Sequence, residues 1–173
     1  MTKPICLWLV RHGATDWTSI GRLAGWTDIS LNAEGRAQAA ALRPRLAEVP
    51  FASIWSSDLS RATQTARLAW KNPNTDRRLR ELDFGSIEGT TWQNLERSTQ
   101  QALLQFDTFS APEGESVTDL QTRVDNFLAH LQPGRHLIFT HAGVIRVILR
   151  ATSGDRHVYP GQQVTVHWPT GRH

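Results

Sequence analysis

The chain has 173 residues, 39% of them hydrophobic and 20% charged. That is the composition of a globular protein long enough to bury a core without staples, which argues against disorder. Its 19 basic and 16 acidic residues leave a net charge of +3, and the densest basic cluster is only Arg77-Arg78-Leu79-Arg80. Scattered solvated arginines fit this better than a nucleic-acid stripe, and no apolar stretch approaches the ~20 residues of a membrane span.

Residues 5–10 are apolar or small throughout, which predicts a buried strand. Cys6, the only cysteine, allows neither a disulfide nor a cysteine metal cluster, and is expected in the core. The apolar run is too short for a signal peptide, Arg11 ends it, and no cleavage site follows, so the expected location is the cytoplasm. Residues 13–31 read as a polar loop. Asn32 is expected to cap a helix over 33–48, with Ala37, Ala41, Leu42 and Leu46 on one face and Pro50 beyond its end. A second strand is predicted over 51–55. Ser57 or Asp58 would cap a helix to about Trp70, ahead of the turn cluster Asn72-Pro73-Asn74. Residues 77–82 read as extended, 91–106 as a helix and 110–115 as a loop. Ser116 or Thr118 would cap a helix to Leu131, which Pro133-Gly134 breaks. A third strand is predicted over 136–140, a short helix over 143–151 and a last strand over 163–168. Strands separated by helices predict a single three-layer α/β/α domain over residues 1–173 with a largely parallel sheet.

Three of these strands end in polar residues. The first runs into Arg11-His12-Gly13, the second into Ser56-Ser57-Asp58 with Arg61 following, the third into Thr140-His141-Ala142-Gly143. In a parallel sheet these ends share one edge, where α/β proteins bind ligands. Two guanidiniums and two imidazoles converging there suit a tetrahedral dianion. Hydrolysis would also need a nucleophile and an acid. The His12 ring can be fixed through one nitrogen and attack through the other. The segment from Arg80 to Gly89 supplies Glu81, Asp83 and Glu88; repulsion from a bound phosphate favours a protonated carboxyl there. A metal held by His12 and His141 is disfavoured, because no carboxylate sits at ligand spacing and the arginines repel a cation.

Arg11-His12-Gly13, the stretch Ser57-Asp58-Leu59-Ser60-Arg61-Ala62-Thr63-Gln64-Thr65-Ala66, Arg80-Glu81-Leu82-Asp83-Phe84-Gly85, and Thr140-His141-Ala142-Gly143 occur in this order. They resemble the signature blocks of the histidine phosphatase superfamily, the phosphoglycerate-mutase-like clan. The stretch from Gly25 to Gly35 is similar to a fifth block. The resemblance implies that His12 is the phosphorylated nucleophile and that Arg11, Arg61 and His141 hold the phosphoryl group. It makes Glu81 the proton donor and requires no metal or other cofactor. Thr18 and Gly25 join the substrate-binding set; Thr18 stands where mutases have an Asn.

Only 59 residues, with Arg97, Arg123 and Arg135 as the cations, separate Glu81 from His141, whereas mutases carry a longer insertion with more basic residues. Pro112-Glu113-Gly114-Glu115-Ser116, followed by Arg123-Val124, is similar to the Pro-Gly-Gly-Glu-Ser segment of α-ribazole phosphatases of cobalamin biosynthesis. The expected activity is therefore hydrolysis of a small-molecule phosphomonoester, with α-ribazole 5′-phosphate as substrate. A broad-specificity phosphatase and a phosphoglycerate mutase are the alternatives within the family. A phosphohistidine signalling protein and an inactive phosphate-binding module are the alternatives outside it. Neither a nucleic-acid nor a membrane partner is expected, and the sequence does not specify an oligomeric state. Of seven Trp residues, Trp17, Trp26 and Trp92 are candidates to line a pocket for an aromatic leaving group. His130, His136, His157, His167 and His173 have no catalytic context.

Overall fold

A computed structural model describes residues 4–169. The strands β1 (Ile5–Arg11), β2 (Ser53–Ser56), β3 (Asn74–Thr75), β4 (Gly134–Thr140) and β5 (Gln163–Trp168) form one sheet in the order β3-β2-β4-β1-β5. The first four strands run parallel and β5 pairs antiparallel with β1. The expected α/β/α layering is present, and β1 shows why. Its Leu7 and Leu9 belong to the core cluster on one face of the sheet, while Val10 joins the cluster on the other. A strand covered on both faces reads as a continuous apolar run rather than an alternating one.

On one face pack the helices α2 (Ala33–Ala41), α3 (Arg43–Ala47) and α4 (Ser60–Ala69), around Leu42, Leu46, Ala66 and Phe139. On the other pack α5 (Arg97–Gln105), α6 (Val117–Leu128) and α7 (Ala142–Thr152), around Leu103, Leu120, Val124 and Ile148. A short helix α1 (Asp16–Ser19) interrupts the segment expected to be loop, started by a reciprocal capping box between Thr15 and Thr18. Each fully buried Leu, Ile or Phe in these layers contributes about 1.5–3 kcal/mol.

Several local expectations are corrected. The helix over 33–48 is two helices meeting at Leu42, with Pro44 in the first turn of the second. Its buried positions are Gly35, Ala39, Leu42 and Leu46, while Ala37 and Ala41 are exposed. The reason is a close approach: a Cβ on Gly13 or on Gly35 would collide with the other segment's backbone. That contact rotates α2 so that Gly35 faces the end of β1. Residues 77–82 are not simply extended, because Arg77–Leu79 form a 3-10 turn capped by Asp76. The turn cluster at 72–74 runs into β3, and α5 begins only at Arg97. Ser116, not Thr118, caps α6. Neither Ser57 nor Asp58 caps α4; its first amide, Ser60 N–H, donates to Asp28 Oδ1 at 2.8 Å from a distant loop. Cys6 is half-buried rather than fully buried. Among the described residues no helix is long and apolar enough to cross a membrane.

Candidate active site

The parallel pairing of β2, β4 and β1 opens their carboxyl ends on one edge. The His12 amide donates to the Thr140 carbonyl at 3.0 Å, continuing the β1–β4 ladder by one residue. His12 and His141 therefore leave adjacent strand ends, and their ring centroids lie 5.1 Å apart. His12 Nδ1 lies 2.7 Å from the Gly13 carbonyl. A carbonyl only accepts, so Nδ1 carries the proton and Nε2 keeps its lone pair. The Gly13 amide donates to Thr65 Oγ1 at 3.0 Å, and that hydroxyl donates to the Arg61 carbonyl at 2.7 Å. Thr65 thus ties the His12 turn to the helix that carries Arg61.

Arg61 is fully buried, at 0% exposure. Its Nη1 donates to the Thr27 carbonyl, and its Nη2 to those of Ala24 and Gly25. Carbonyls satisfy its N–H groups without neutralising its charge, and Nε has no protein partner. Arg11 Nη1 donates to the Val158 carbonyl at 2.7 Å, and its Nε is likewise buried and unpartnered. Both ring nitrogens of His141 are buried without a partner, so this ring does not cap α7. Buried charge of one sign with orphaned N–H donors is costly unless an anion completes it. The donor set fits a phosphoryl group: planar guanidiniums and imidazole N–H groups suit tetrahedral oxygens.

Glu81, 7% exposed, faces this cationic cluster. Gly143 N–H, in the first turn of α7, donates to both carboxylate oxygens at 3.1 Å. A Cβ on Gly143 would collide with Glu81 Oε1, so only glycine admits this seating. Glu81 offsets part of the Arg11 and Arg61 charge.

Burial, then the charges of Arg61 and Arg11, hold His12 well below its ordinary value of 6.5. Burial, then Arg61 and His12, do the same to His141. Both rings are therefore neutral near pH 7, the form that can attack or accept. Stability depends on pH for the same reason. Unfolded histidines protonate near 6.5 while these folded ones resist, so the unfolded chain binds more protons below that pH. The stabilisation is complete above about pH 6.5 and is lost progressively as pH falls toward the lower folded values. Melting temperature is expected to drop by several degrees between about pH 7 and pH 5. The His12→Asn variant should show a shallower slope; parallel profiles for the two proteins would refute the assignment.

The structure brings Arg11, His12, Arg61, Glu81 and His141 together. Thr18 and Gly25 sit differently. The Thr18 hydroxyl accepts from Thr15 N–H at 2.9 Å in the α1 capping box. The Gly25 carbonyl accepts from Arg61 Nη2 at 2.6 Å, and its amide donates to Glu88 Oε1 at 3.1 Å. Arg78 and Arg80 are paired with Asp76 and Asp58. His136, hydrogen-bonded with Ser53 and Gln132, lies in the sheet away from the site, and His173 falls outside the described residues. Sequence reasoning missed Thr65 and Asp28 as supports and offered Glu88 only as a candidate carboxylate; all three hold the site through bonds to residues more than thirty positions away in the chain.

Beside Glu81 opens a cavity of about 520 Å³, lined by Leu23, Leu82, Phe84, Trp92, Leu103 and Phe106, with Arg146, Asp155 and Arg156 also on its wall. Trp92 is the one of the three candidate tryptophans on that wall. Trp26 instead donates to the Glu81 carbonyl at 2.8 Å beneath the Arg80 guanidinium, and Trp17 packs on Gly89.

The fold and the site define an α/β protein with a buried cationic cluster, whose donors fit a tetrahedral anion, at the carboxyl edge of a mostly parallel sheet. The chain belongs to the histidine phosphatase superfamily (branch 1), whose family pattern matches residues 7–161. It is 47% identical to the crystal structure of a phosphoglycerate mutase from Thermus thermophilus, with 95% of this chain and 94% of that chain covered and a TM-score of 0.88. It is 26% identical to a candidate alpha-ribazole-5′-P phosphatase from Escherichia coli, with 96% and 91% covered and a TM-score of 0.82. Phosphoglycerate mutase-like protein 4 of Arabidopsis thaliana is 33% identical over 166 residues, 87% of this chain and 72% of that protein.

Proposed function

We propose that this chain hydrolyses a phosphate monoester through a phosphohistidine, and that the ester's organic part carries a flat aromatic group. His12 Nε2 attacks phosphorus, and the bond from phosphorus to the ester oxygen breaks. Protonated Glu81 gives its proton to that oxygen, releasing the alcohol. Water then attacks the phosphohistidine, Glu81 takes the water proton, the phosphorus–nitrogen bond breaks, and inorganic phosphate leaves. Arg11, Arg61 and His141 stabilise the charge on the remaining oxygens in both steps.

The observation that carries the choice of hydrolysis over mutase chemistry is the cavity beside Glu81. Its walls are largely aliphatic and aromatic, and Arg146 is already engaged by Asp155 at 2.8 Å. A phosphoglycerate presents a carboxylate and one hydroxyl, for which Arg156 is, among the described residues, the wall's one arginine not engaged by a carboxylate, and it has no apolar group to gain from the rest of the wall. A flat apolar group gains from the same walls, and α-ribazole 5′-phosphate, with its aromatic base, is the particular substrate proposed. The name of the 47%-identical Thermus thermophilus protein favours the second reading, a phosphoglycerate mutase.

A substrate panel separates the two readings. The expected order of kcat/KM is α-ribazole 5′-phosphate and aryl-bearing monoesters above methyl phosphate, with no isomerisation of 3-phosphoglycerate. Faster isomerisation than any hydrolysis would favour the mutase. Leu104, on the cavity wall and 65% exposed, offers a finer test. The Leu104→Glu variant should lose about tenfold of the discrimination between benzyl and methyl phosphate, the value of about 50 Å² of apolar contact.

A further inference from the structure

The segment that carries Glu81 has little regular structure. After the 3-10 turn at Arg77–Leu79 the chain runs through residues 80–84 outside any helix or sheet strand. An acid on such a segment needs its position supplied from elsewhere, since proton transfer is sensitive to displacements of about 1 Å. The Glu81 side chain is seated by Gly143. The Glu81 carbonyl accepts from Trp26 Nε1 at 2.8 Å, and the main chain on either side is held by one residue of α6.

That residue is Arg123. Its Nη1 donates to the carbonyls of Arg78 at 2.7 Å and Arg80 at 2.6 Å. Its Nη2 donates to the Glu81 carbonyl at 2.8 Å. Its Nε and Nη2 also form a two-pronged pair with the Glu115 carboxylate, at 2.7 and 2.8 Å. A guanidinium has five N–H donors, and here all five are engaged. Glu115 completes the brace: its Oε2 accepts from Asp83 N–H at 3.0 Å, and its own amide donates to the Asp83 carbonyl at 2.9 Å. Arg80 and Asp83, which flank Glu81, and the Glu81 carbonyl are thus fixed to the middle of α6 through Arg123 and to the residue before its cap through Glu115. Ser116 and Asp119 cap that helix reciprocally and anchor the brace in turn.

We propose that Arg123 and Glu115 are positioning residues for proton transfer by Glu81. The stretch from Pro112 to Ser116 then acts on the chemical step rather than on the choice of substrate. Lysine at 123 could not reproduce the brace, because an ammonium has three donors and no planar fork. The inference rests on Glu81 being the acid, and its test reads that assignment separately.

The test is the dependence of kcat/KM on the leaving group, measured from alkyl phosphates to p-nitrophenyl phosphate. This ratio reports the phosphorylation step alone, where the ester oxygen takes the proton. Alkyl alkoxides need that proton, whereas nitrophenolate leaves without it. The Arg123→Lys and Glu115→Gln variants should lose about 10²-fold on alkyl esters and less than about threefold on p-nitrophenyl phosphate. Glu81→Gln should show the same steep dependence, and adding Arg123→Lys to it should cost little more. Equal losses across the series in the Arg123 and Glu115 variants, beside a steep Glu81→Gln, would overturn the positioning role and leave the acid in place. A flat Glu81→Gln series would overturn the acid assignment and the positioning role with it. Should Arg123→Lys fail to fold, Glu115→Gln carries the test, since it keeps the arginine and removes only its counter-charge.

Discussion

Replacing His12 with alanine is expected to lower kcat/KM by about 10⁴- to 10⁶-fold on every phosphomonoester, the scale seen when a covalent nucleophile is removed. The geometry behind this is specific. Nδ1 is committed to the Gly13 carbonyl, which leaves Nε2 as the attacking atom, and the ring is held neutral by burial and two guanidiniums. No other described side chain offers a fixed, neutral nitrogen beside both arginines. His141 is neutral for the same reasons, but neither of its nitrogens has a protein partner to set a tautomer. Rapid quench with a ³²P-labelled ester should trap an acid-labile, base-stable phosphoenzyme in the wild type and none in His12→Ala. Trapping of label in His12→Ala would move the nucleophile elsewhere. Binding of inorganic phosphate should survive in the variant, because Arg11 and Arg61 remain.

The Glu81→Gln variant is expected to lose about 10²- to 10⁴-fold on alkyl phosphates, the usual contribution of a general acid. Glutamine is nearly isosteric, so the Gly143 amide still finds an acceptor and the fold should persist. What disappears is the proton for the leaving oxygen and, in the second step, the base for water. On p-nitrophenyl phosphate the phosphorylation step should be nearly spared while hydrolysis of the phosphoenzyme slows. A burst of nitrophenol followed by slow turnover is the expected trace. Equal slowing of burst and steady state would show that Glu81 serves only to hold the site together.

Arg11, His12 and His141 were legible because each lies at or just beyond the end of a strand that sequence can identify; Arg61, inside α4, and Glu81, on no strand, stood out through the resemblance. Continuous apolar runs such as residues 5–10 mark strands covered on both faces, and the residues just beyond a parallel strand fall on the ligand edge. The helices were legible where one residue sets the boundary, as at Asn32 and Ser116. They were misread where a distant group intervenes. Asp28 caps α4 from 32 positions away, and the backbone contact between Gly13 and Gly35 decides which face of α2 is buried. Trp26 and Trp92 are alike as sequence, yet one braces the Glu81 carbonyl and the other walls the cavity. Local pattern carries no record of such partners.

The alternation of the four longer strands with helices, the Arg11-His12-Gly13 junction and the residue types needed for phosphoryl chemistry are determined by the sequence itself. They come from periodicity and from side-chain chemistry, which are local properties. Only the tertiary structure decides that the Arg61 guanidinium is buried on carbonyls alone, that His12 presents Nε2, that Arg123 directs its five donors to the Glu81 segment and its Glu115 brace, and that an apolar cavity adjoins the site. Each of these depends on which distant backbone groups meet a side chain, and on how much water their meeting removes.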